Sequence, residues 1–292
     1  MSGITLTASS RSALTSLTST ASLMSRTQNR LTTGLKVASA IDDAVSYFQA
    51  QALTDRSSDF TDRKTQMDQG ISSVTAGLNG TTSITGVLKQ MQGILDTART
   101  ADSTTRGTLA KEFNNLGTQI NSLVADSSYQ GLDLIDNSTA NLTVYLSEGT
   151  TANLSMTAQN MNTSGALFSI GSQVASAGLA SVFLSAGGSS WSGLVASNSS
   201  DIDTAQAWIK TAVSNSNALS AQLGGNVTFL QTRLDFTSNY VNTMTTGASK
   251  MTLADLNTEG ANLVALQTRQ QIGIQSLSIA GQQQQSILSL IR

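Results

Sequence analysis

The chain has 292 residues, of which 39% are hydrophobic and 12% charged, and its net charge is −2. It contains no Pro, no Cys and no His, which excludes a Ser–His triad, a thiol nucleophile, a His–zinc site, a thiolate cluster and any disulfide. A slightly acidic balance also speaks against a nucleic-acid binder. The three glutamates, Glu112, Glu148 and Glu259, are too widely spaced for a catalytic carboxylate pair to be read from the sequence. The expectation is a protein that is not an enzyme and uses no cofactor and no metal. Absence of Pro leaves long helices free of kinks.

Met1-Ser2-Gly3-Ile4-Thr5 leads into a Ser/Thr-rich stretch without an apolar core or cleavage site, so no secretory signal is read there. The longest apolar runs, such as Leu263–Leu266, fall far short of the roughly 18–20 residues of a membrane helix, and no membrane partner is expected. Apolar residues at Leu14, Leu17, Ala21, Met24, Leu31 and Leu35 follow 3/4 spacing, with Gln28 as a polar interruption. Their accompanying charges, Arg11, Arg26, Arg30 and Lys36, have no acid before Asp42. A helix with so narrow a stripe and no acid–base i,i+4 pairs is marginal in water, so it needs a partner.

Helical spacing resumes through Ile41, Val45, Phe48 and Ala52, then Met67, Ile71, Val74 and Leu78. Gly77 and Gly80 read as punctuation before a further series at Ile84, Val87/Leu88, Met91 and Leu95. Another helix is predicted over about Leu109–Val124, stopped by the turn residues Ser127–Gly131. Alternation at Leu142, Val144 and Leu146, a break at Glu148–Thr151, and alternation at Leu154 and Met156 predict a β-hairpin. From 162 to 200 the chain is Gly-, Ser- and Ala-rich without period, which reads as a small irregular or mixed insert.

The longest regular signal opens at Ser200-Asp201-Ile202 and runs through Leu219, Leu223, Leu230 and Val241 to Met244, with Ser216 and Thr237 filling two heptad slots. About 46 residues give a helix of roughly 70 Å. Gly247 is expected to end it, and Thr252–Asp255 to start the last helix. That helix is covered with Gln, and its apolar residues Leu263/Leu266 and Ile272/Ile279 do not share one stripe. Such a helix is buried among several neighbours or unfolded until it is. The N-terminal heptads are its natural partner, which brings the chain ends together. The predicted fold class is mainly α: a long antiparallel helical hairpin or coiled-coil bundle with a β-hairpin and a small central insert.

Specific residues point to a family. Leu31-Thr32-Thr33-Gly34-Leu35-Lys36-Val37-Ala38-Ser39-Ala40-Ile41-Asp42-Asp43-Ala44 resembles the flagellin signature L-S-T-G-L-R-I-x-x-A-x-D-D-A, matching at Gly34, Asp42 and Asp43 and placing Lys36 at the Arg. Asn262-Leu263 and Thr268-Arg269-Gln270-Gln271-Ile272-Gly273-Ile274-Gln275-Ser276-Leu277-Ser278-Ile279-Ala280 resemble the end of short flagellins. Tyr129-Gln130-Gly131-Leu132 is similar to the family's aromatic–Asn–Gly–x–x–Leu turn, with Gln130 in place of Asn. The resemblance covers about 1–135 and 200–292.

The resemblance implies the structural subunit of a bacterial flagellar filament, of the short kind with a reduced outer domain. Residues 1–41 and 250–292 would form the inner, channel-lining layer, 42–135 and 201–249 a helical core, and 136–200 the hairpin and variable surface insert. Polymerisation contacts are expected at Leu14, Leu17, Met24, Leu31, Leu35, Leu263, Leu266, Ile272, Leu277, Ile279, Leu288 and Ile291. Asp42-Asp43 reads either as a helix-start pair favoured by the macrodipole or as a contact with a basic residue of a neighbouring subunit. The family context implies export, unfolded, through the flagellar secretion channel, an extracellular filament that serves motility, and partners that include copies of itself, an export chaperone, the filament cap and hook-junction proteins. A hook–filament junction protein is the alternative. Flagellins detected by the animal innate receptor carry a motif resembling L-Q-R-V-R-E-L-A-V-Q; here Leu88–Thr97 places Gln90 and Gln92 at the Arg positions and Gly93 at the Glu.

Overall fold

The structure, a computed structural model, describes residues 8–136, 141–149, 151–161 and 199–290. The elements are α1 (Ala8–Thr33), α2 (Ala44–Thr100), α3 (Ser103–Asp126), β1 (Asn141–Tyr145), β2 (Asn153–Thr157), α4 (Ser199–Thr252) and α5 (Leu256–Leu290). The insert expected at 162–200 lies almost entirely outside the described residues. The chain forms two compact units, Met1–Ser57 with Asn242–Arg292, and Ser58–Val241. The mainly α class with an antiparallel β-hairpin is as expected.

The Ser58–Val241 unit holds the main core. Along α2, Met67, Val74, Ile84, Leu88, Met91 and Leu95 are buried in 3/4 spacing. They meet Phe113, Ile120 and Val124 of α3 and Ile202, Ile209, Leu223 and Leu230 of α4. The hairpin pairs Leu142 with Met156 and Val144 with Leu154, and Val144 and Met156 join the same core. Helix α3 starts where Thr105 N–H donates to the Asp102 carboxylate at 3.0 Å. It ends before a turn in which Tyr129 and Leu132 exchange backbone hydrogen bonds of 2.8 and 3.0 Å. Gln130, at φ 51°, and Gly131, at φ 80°, take the left-handed conformations that this turn needs.

Several expected boundaries move. Gly77 and Gly80 do not interrupt a helix, because α2 runs unbroken for 57 residues. A Cβ on Gly70 would meet Val144 Cγ2 at 2.6 Å, and one on Gly80 would meet the Ser127 side chain and Ile135 Cδ1. These positions are glycine because the hairpin and the 127–135 segment press on α2, and the i→i−4 ladder persists beneath them. Gly247 likewise lies inside α4, which continues to Thr252. Leu253 precedes α5, and Ile41 precedes α2. Gly80→Val should therefore lower stability by about 2 kcal/mol or more through overpacking. Gly86→Ala, at an open position, should raise it by about 0.5–1 kcal/mol through helix propensity. Urea midpoints of the two variants give the comparison.

The polar heptad slots of α4 are in register, as the spacing predicted. Ser216 and Thr237 are fully buried, and among the described residues neither hydroxyl has a hydrogen-bond partner. An unsatisfied buried hydroxyl costs free energy that an apolar side chain of similar shape does not. Ser216→Ala and Thr237→Val should each stabilise the unit by about 1 kcal/mol, read as a rise in the denaturation midpoint at constant m-value.

Candidate subunit interface

In the unit formed by Met1–Ser57 and Asn242–Arg292, α1 packs against α5. They run antiparallel: Arg30 Nη1 donates to Glu259 Oε1 at 2.9 Å, and toward the other end Leu17 lies against Gly273, whose Cβ would sit 3.1 Å from Leu17 Cδ1. This is the pairing of chain ends that the two weak stripes called for. Glu259 is 8% exposed, and the Arg30 guanidinium compensates its charge by a charge-assisted hydrogen bond.

The inward stripe of α1 differs from the expected series. Its less exposed positions are Ser10, Ala13, Leu17, Thr20, Met24, Thr27 and Leu31, whereas Leu14, Ala21 and Gln28 are exposed. Thr20 tolerates burial because its hydroxyl donates back to Ser16 O at 2.9 Å. The 3/4 steps from Leu17 and Met24 pointed to Thr20 and Thr27, but their polarity hid them. On α5 the partly buried positions are Gly260, Leu263, Leu266, Gln270, Gly273, Leu277 and Ala280. Ile272 and Ile279 are 62% and 51% exposed, and Val264 and Ile274 share that exposure. The residues named as one contact set thus divide in two. Leu17, Met24, Leu31, Leu263, Leu266 and Leu277 line the α1–α5 seam, while Leu14, Ile272 and Ile279 remain open to solvent. The Leu288 side chain and all of Ile291 lie outside the described residues.

The flagellin-like motif forms the corner between α1 and α2. Gly34, at φ 71°, ends α1 with its N–H donating to Arg30 O at 2.8 Å. Leu35 then leaves the helix and bridges Leu253. Lys36 N–H donates to Thr252 O at 2.7 Å, and Ala254 N–H donates to Gly34 O at 2.9 Å. Asp42 accepts from the backbone of Ala38 and Ser39 and from the Ser39 hydroxyl. Asp43 caps α2 by accepting from the N–H groups of Val45 and Ser46 and from the Ser46 hydroxyl. Asp255 caps α5 through Asn257 and Thr258 in the same way. Hydrogen bonds from Ser39, Ser46 and Thr258 to these carboxylates hold all three pKa values below the usual carboxylate value. Sequence reasoning missed the exposed apolar cluster at this corner, where Ile41 is 96% and Phe48 62% exposed; its signal was apolar residues beside a Gly-terminated helix.

Elsewhere, Gln271 is exposed and Gln270 half-buried on α5. On α2, Gln90 and Gly93 are exposed and Gln92 is half-buried, while Leu88, Met91 and Leu95 anchor the helix in its core. Among the described residues, no His/Cys/Asp/Glu group could hold a metal ion, and no helix is long and apolar enough to cross a membrane.

The terminal unit thus has one covered seam, between α1 and α5, and apolar residues exposed outside it, and comparison with known proteins gives the family. Residues 4–140 match the bacterial flagellin N-terminal helical region, and residues 198–291 match the bacterial flagellin C-terminal helical region. Flagellin FljK of Caulobacter vibrioides is 29% identical over 100% of this chain and 99% of its own. Flagellin FljM of the same organism is 29% identical over 96% of this chain and 95% of its own. A flagellin of Brucella melitensis biotype 1 is 27% identical over 100% of both chains. A crystal structure of Bacillus cereus flagellin superposes with a TM-score of 0.46 at 17% identity, over 59% of this chain and 88% of that one; the assignment rests on the sequence matches. The chain belongs to the bacterial flagellin family. It is a structural filament subunit, of the kind that self-associates into the extracellular flagellar filament.

Gly34 gives a direct test of the corner. A Cβ there meets nothing within 4 Å, so Gly34→Ala should cost only the conformational penalty of a left-handed non-glycine residue, about 1–2 kcal/mol. The change should appear as faster amide exchange in 30–40 and 250–256, with the 58–241 unit unaffected.

Proposed function

We propose that this chain builds a flagellar filament used for motility by packing the exposed faces of α1 and α5 against neighbouring copies. The observation that carries this reading is the second apolar face of α5, Val264, Ile272 and Ile279, which stays exposed after α1 has covered the first, with Ile274 exposed on the other flank of the seam. Burying such a face in an assembly contributes about 25 cal/mol per Å² of apolar surface, and leaving it in water invites aggregation. In this proposal 1–41 and 250–292 form the inner layer, 42–135 and 201–249 the surrounding core, and 136–200 the outward surface. Export proceeds unfolded through the flagellar secretion channel, with an export chaperone, the filament cap and hook-junction proteins as partners. A chain without Cys or Pro suits that route, because neither thiol oxidation nor slow X–Pro isomerisation interferes with refolding at the far end.

Seeding purified monomer with filament fragments and imaging by negative stain should give long filaments. Leu17→Asp or Leu277→Asp should abolish growth, since a charge without a partner in the α1–α5 seam costs several kcal/mol. The melting of the 58–241 unit should stay within about 0.5 kcal/mol of the parent. Growth at the parental rate by both variants would contradict the reading.

The divergent stretch at Gln90, Gln92 and Gly93 supports a second expectation, that this flagellin is a poor ligand for the animal innate receptor. Gln keeps hydrogen-bonding capacity but lacks the planar charged fork of Arg, and losing one partner of a buried charged contact typically costs about 2–5 kcal/mol. Reporter cells should respond weakly to the monomer and more strongly to a Gln90→Arg, Gln92→Arg, Gly93→Glu variant. Potent signalling by the unmodified monomer would refute this.

A further inference from the structure

Within the Met1–Ser57 and Asn242–Arg292 unit, two surface features have complementary chemistry. The first is a groove of about 320 Å³ between α1 and α5. Its apolar walls include Leu23, Ala265 and Leu266, and its polar rim includes Arg26, Arg30 and Arg269. Glu259 neutralises Arg30. Among the described residues, Arg26 and Arg269 have no hydrogen bond or ion pair. Two uncompensated guanidiniums flanking an apolar groove are notable on a chain only 12% charged. They suit a carboxylate ligand, because Arg presents a planar fork of donors.

The second feature is the corner between α1 and α2. Ile41 projects from it, 96% exposed, and the exposed Asp42 and Asp43 follow it. The Asp42 carboxylate accepts its hydrogen bonds through Oδ2, from Ala38 and Ser39, and among the described residues Oδ1 has no donor. Hydrogen bonds from within the corner keep both carboxylates ionised. The corner is therefore an apolar knob carrying anionic charge, and the groove is an apolar hole carrying cationic charge. Ile41 does not fill the groove of its own chain, since it is almost fully solvated.

We propose that the α1–α5 groove of one copy receives the Ile41–Asp43 corner of a second copy, with Arg26 and Arg269 pairing its carboxylates. This deepens the filament reading and rests on it. Knob and hole are different surfaces of one chain, so the contact is heterologous: each copy offers a free hole to the next and a free knob to the one before. Such contacts do not close into a dimer and propagate into an open helical polymer when the rotation between copies does not close a ring. The charges fix the register of the contact, and the isoleucine supplies its buried area.

The chain has no cysteine of its own, so introduced thiols report without background. A variant carrying Ile41→Cys and Ala265→Cys, assembled into filaments and treated with a short thiol–thiol cross-linker, should give a ladder of head-to-tail oligomers on denaturing gels. The single-cysteine variants mixed together should give dimers only, and unassembled monomer should give neither product. Filaments whose chains stay uncross-linked, or products formed by Ile41→Cys alone, would overturn the groove contact while leaving self-association standing. Failure of the parent chain to form filaments would instead overturn the reading beneath it. If the double-cysteine variant does not assemble, the charges decide. Arg26→Glu with Arg269→Glu should raise the critical concentration about tenfold or more with monomer melting unchanged. Arg26→Lys with Arg269→Lys should stay closer to the parent. Parental assembly by the Glu variant would overturn the proposal.

Discussion

Helix α5 has two apolar faces, and among the described residues only one of them finds a partner. The Leu263–Leu277 stripe finds α1, while Ile272 and Ile279 stay in water. Other features of the terminal unit are arranged around that imbalance. Helix α1 turns Thr20 and Thr27 inward and leaves Leu14 and Leu23 at the surface, so both members of the pair end with apolar side chains to spare. Charge, which would keep such surfaces apart, is sparse along both helices. A helix pair of this composition gains little as a monomer and much as part of a polymer.

The second compact unit follows different logic. Its helices carry deep stripes that meet in a core of Met, Leu, Ile and Phe. One chain thus contains a unit with a large buried core and a unit whose helix pair leaves apolar side chains exposed. The Arg30–Glu259 pair belongs to the second kind: it holds the start of α5 to the end of α1 by one hydrogen-bonded charge pair, where a larger apolar core would otherwise fix the register.

Much of this was legible in the sequence, and the misses have physical causes. The β-hairpin, the pairing of chain ends, the polar slots Ser216 and Thr237, and the split faces of α5 all follow from side-chain period. Period survives because it reflects which side of an element is covered. The length of α2 exceeds the sequence expectation because Gly77 and Gly80 stand inside the helix and do not end it. Gly80 is glycine for a different reason, the close approach of Ser127, which only tertiary structure reveals. The α1 stripe departs from the apolar series because threonine counts as polar in a pattern, although back-bonding to the preceding turn lets the Thr20 methyl group pack. The flagellin-like motif was recognised as a string, and its mechanical content appears only in the fold. Gly34 terminates a helix, Leu35 bridges Leu253, and the two aspartates close successive turns.

The helix starts share one chemical device. In a chain without proline, α2, α3 and α5 each begin on an aspartate, Asp43, Asp102 and Asp255, that accepts hydrogen bonds from its own first turn, and Asp42 braces the corner before α2. Each of the four carboxylates has its pKa lowered by those bonds. A group whose pKa is lower folded than unfolded contributes stability that is complete above its unfolded value, about 3.9 for Asp, and is lost as pH falls through the folded value. The four sites therefore act as a proton-sensitive latch set. On moderate acidification they stay shut. In strong acid they take up protons and give up the hydrogen bonds that start three helices, so that acid acts on the joints of the chain.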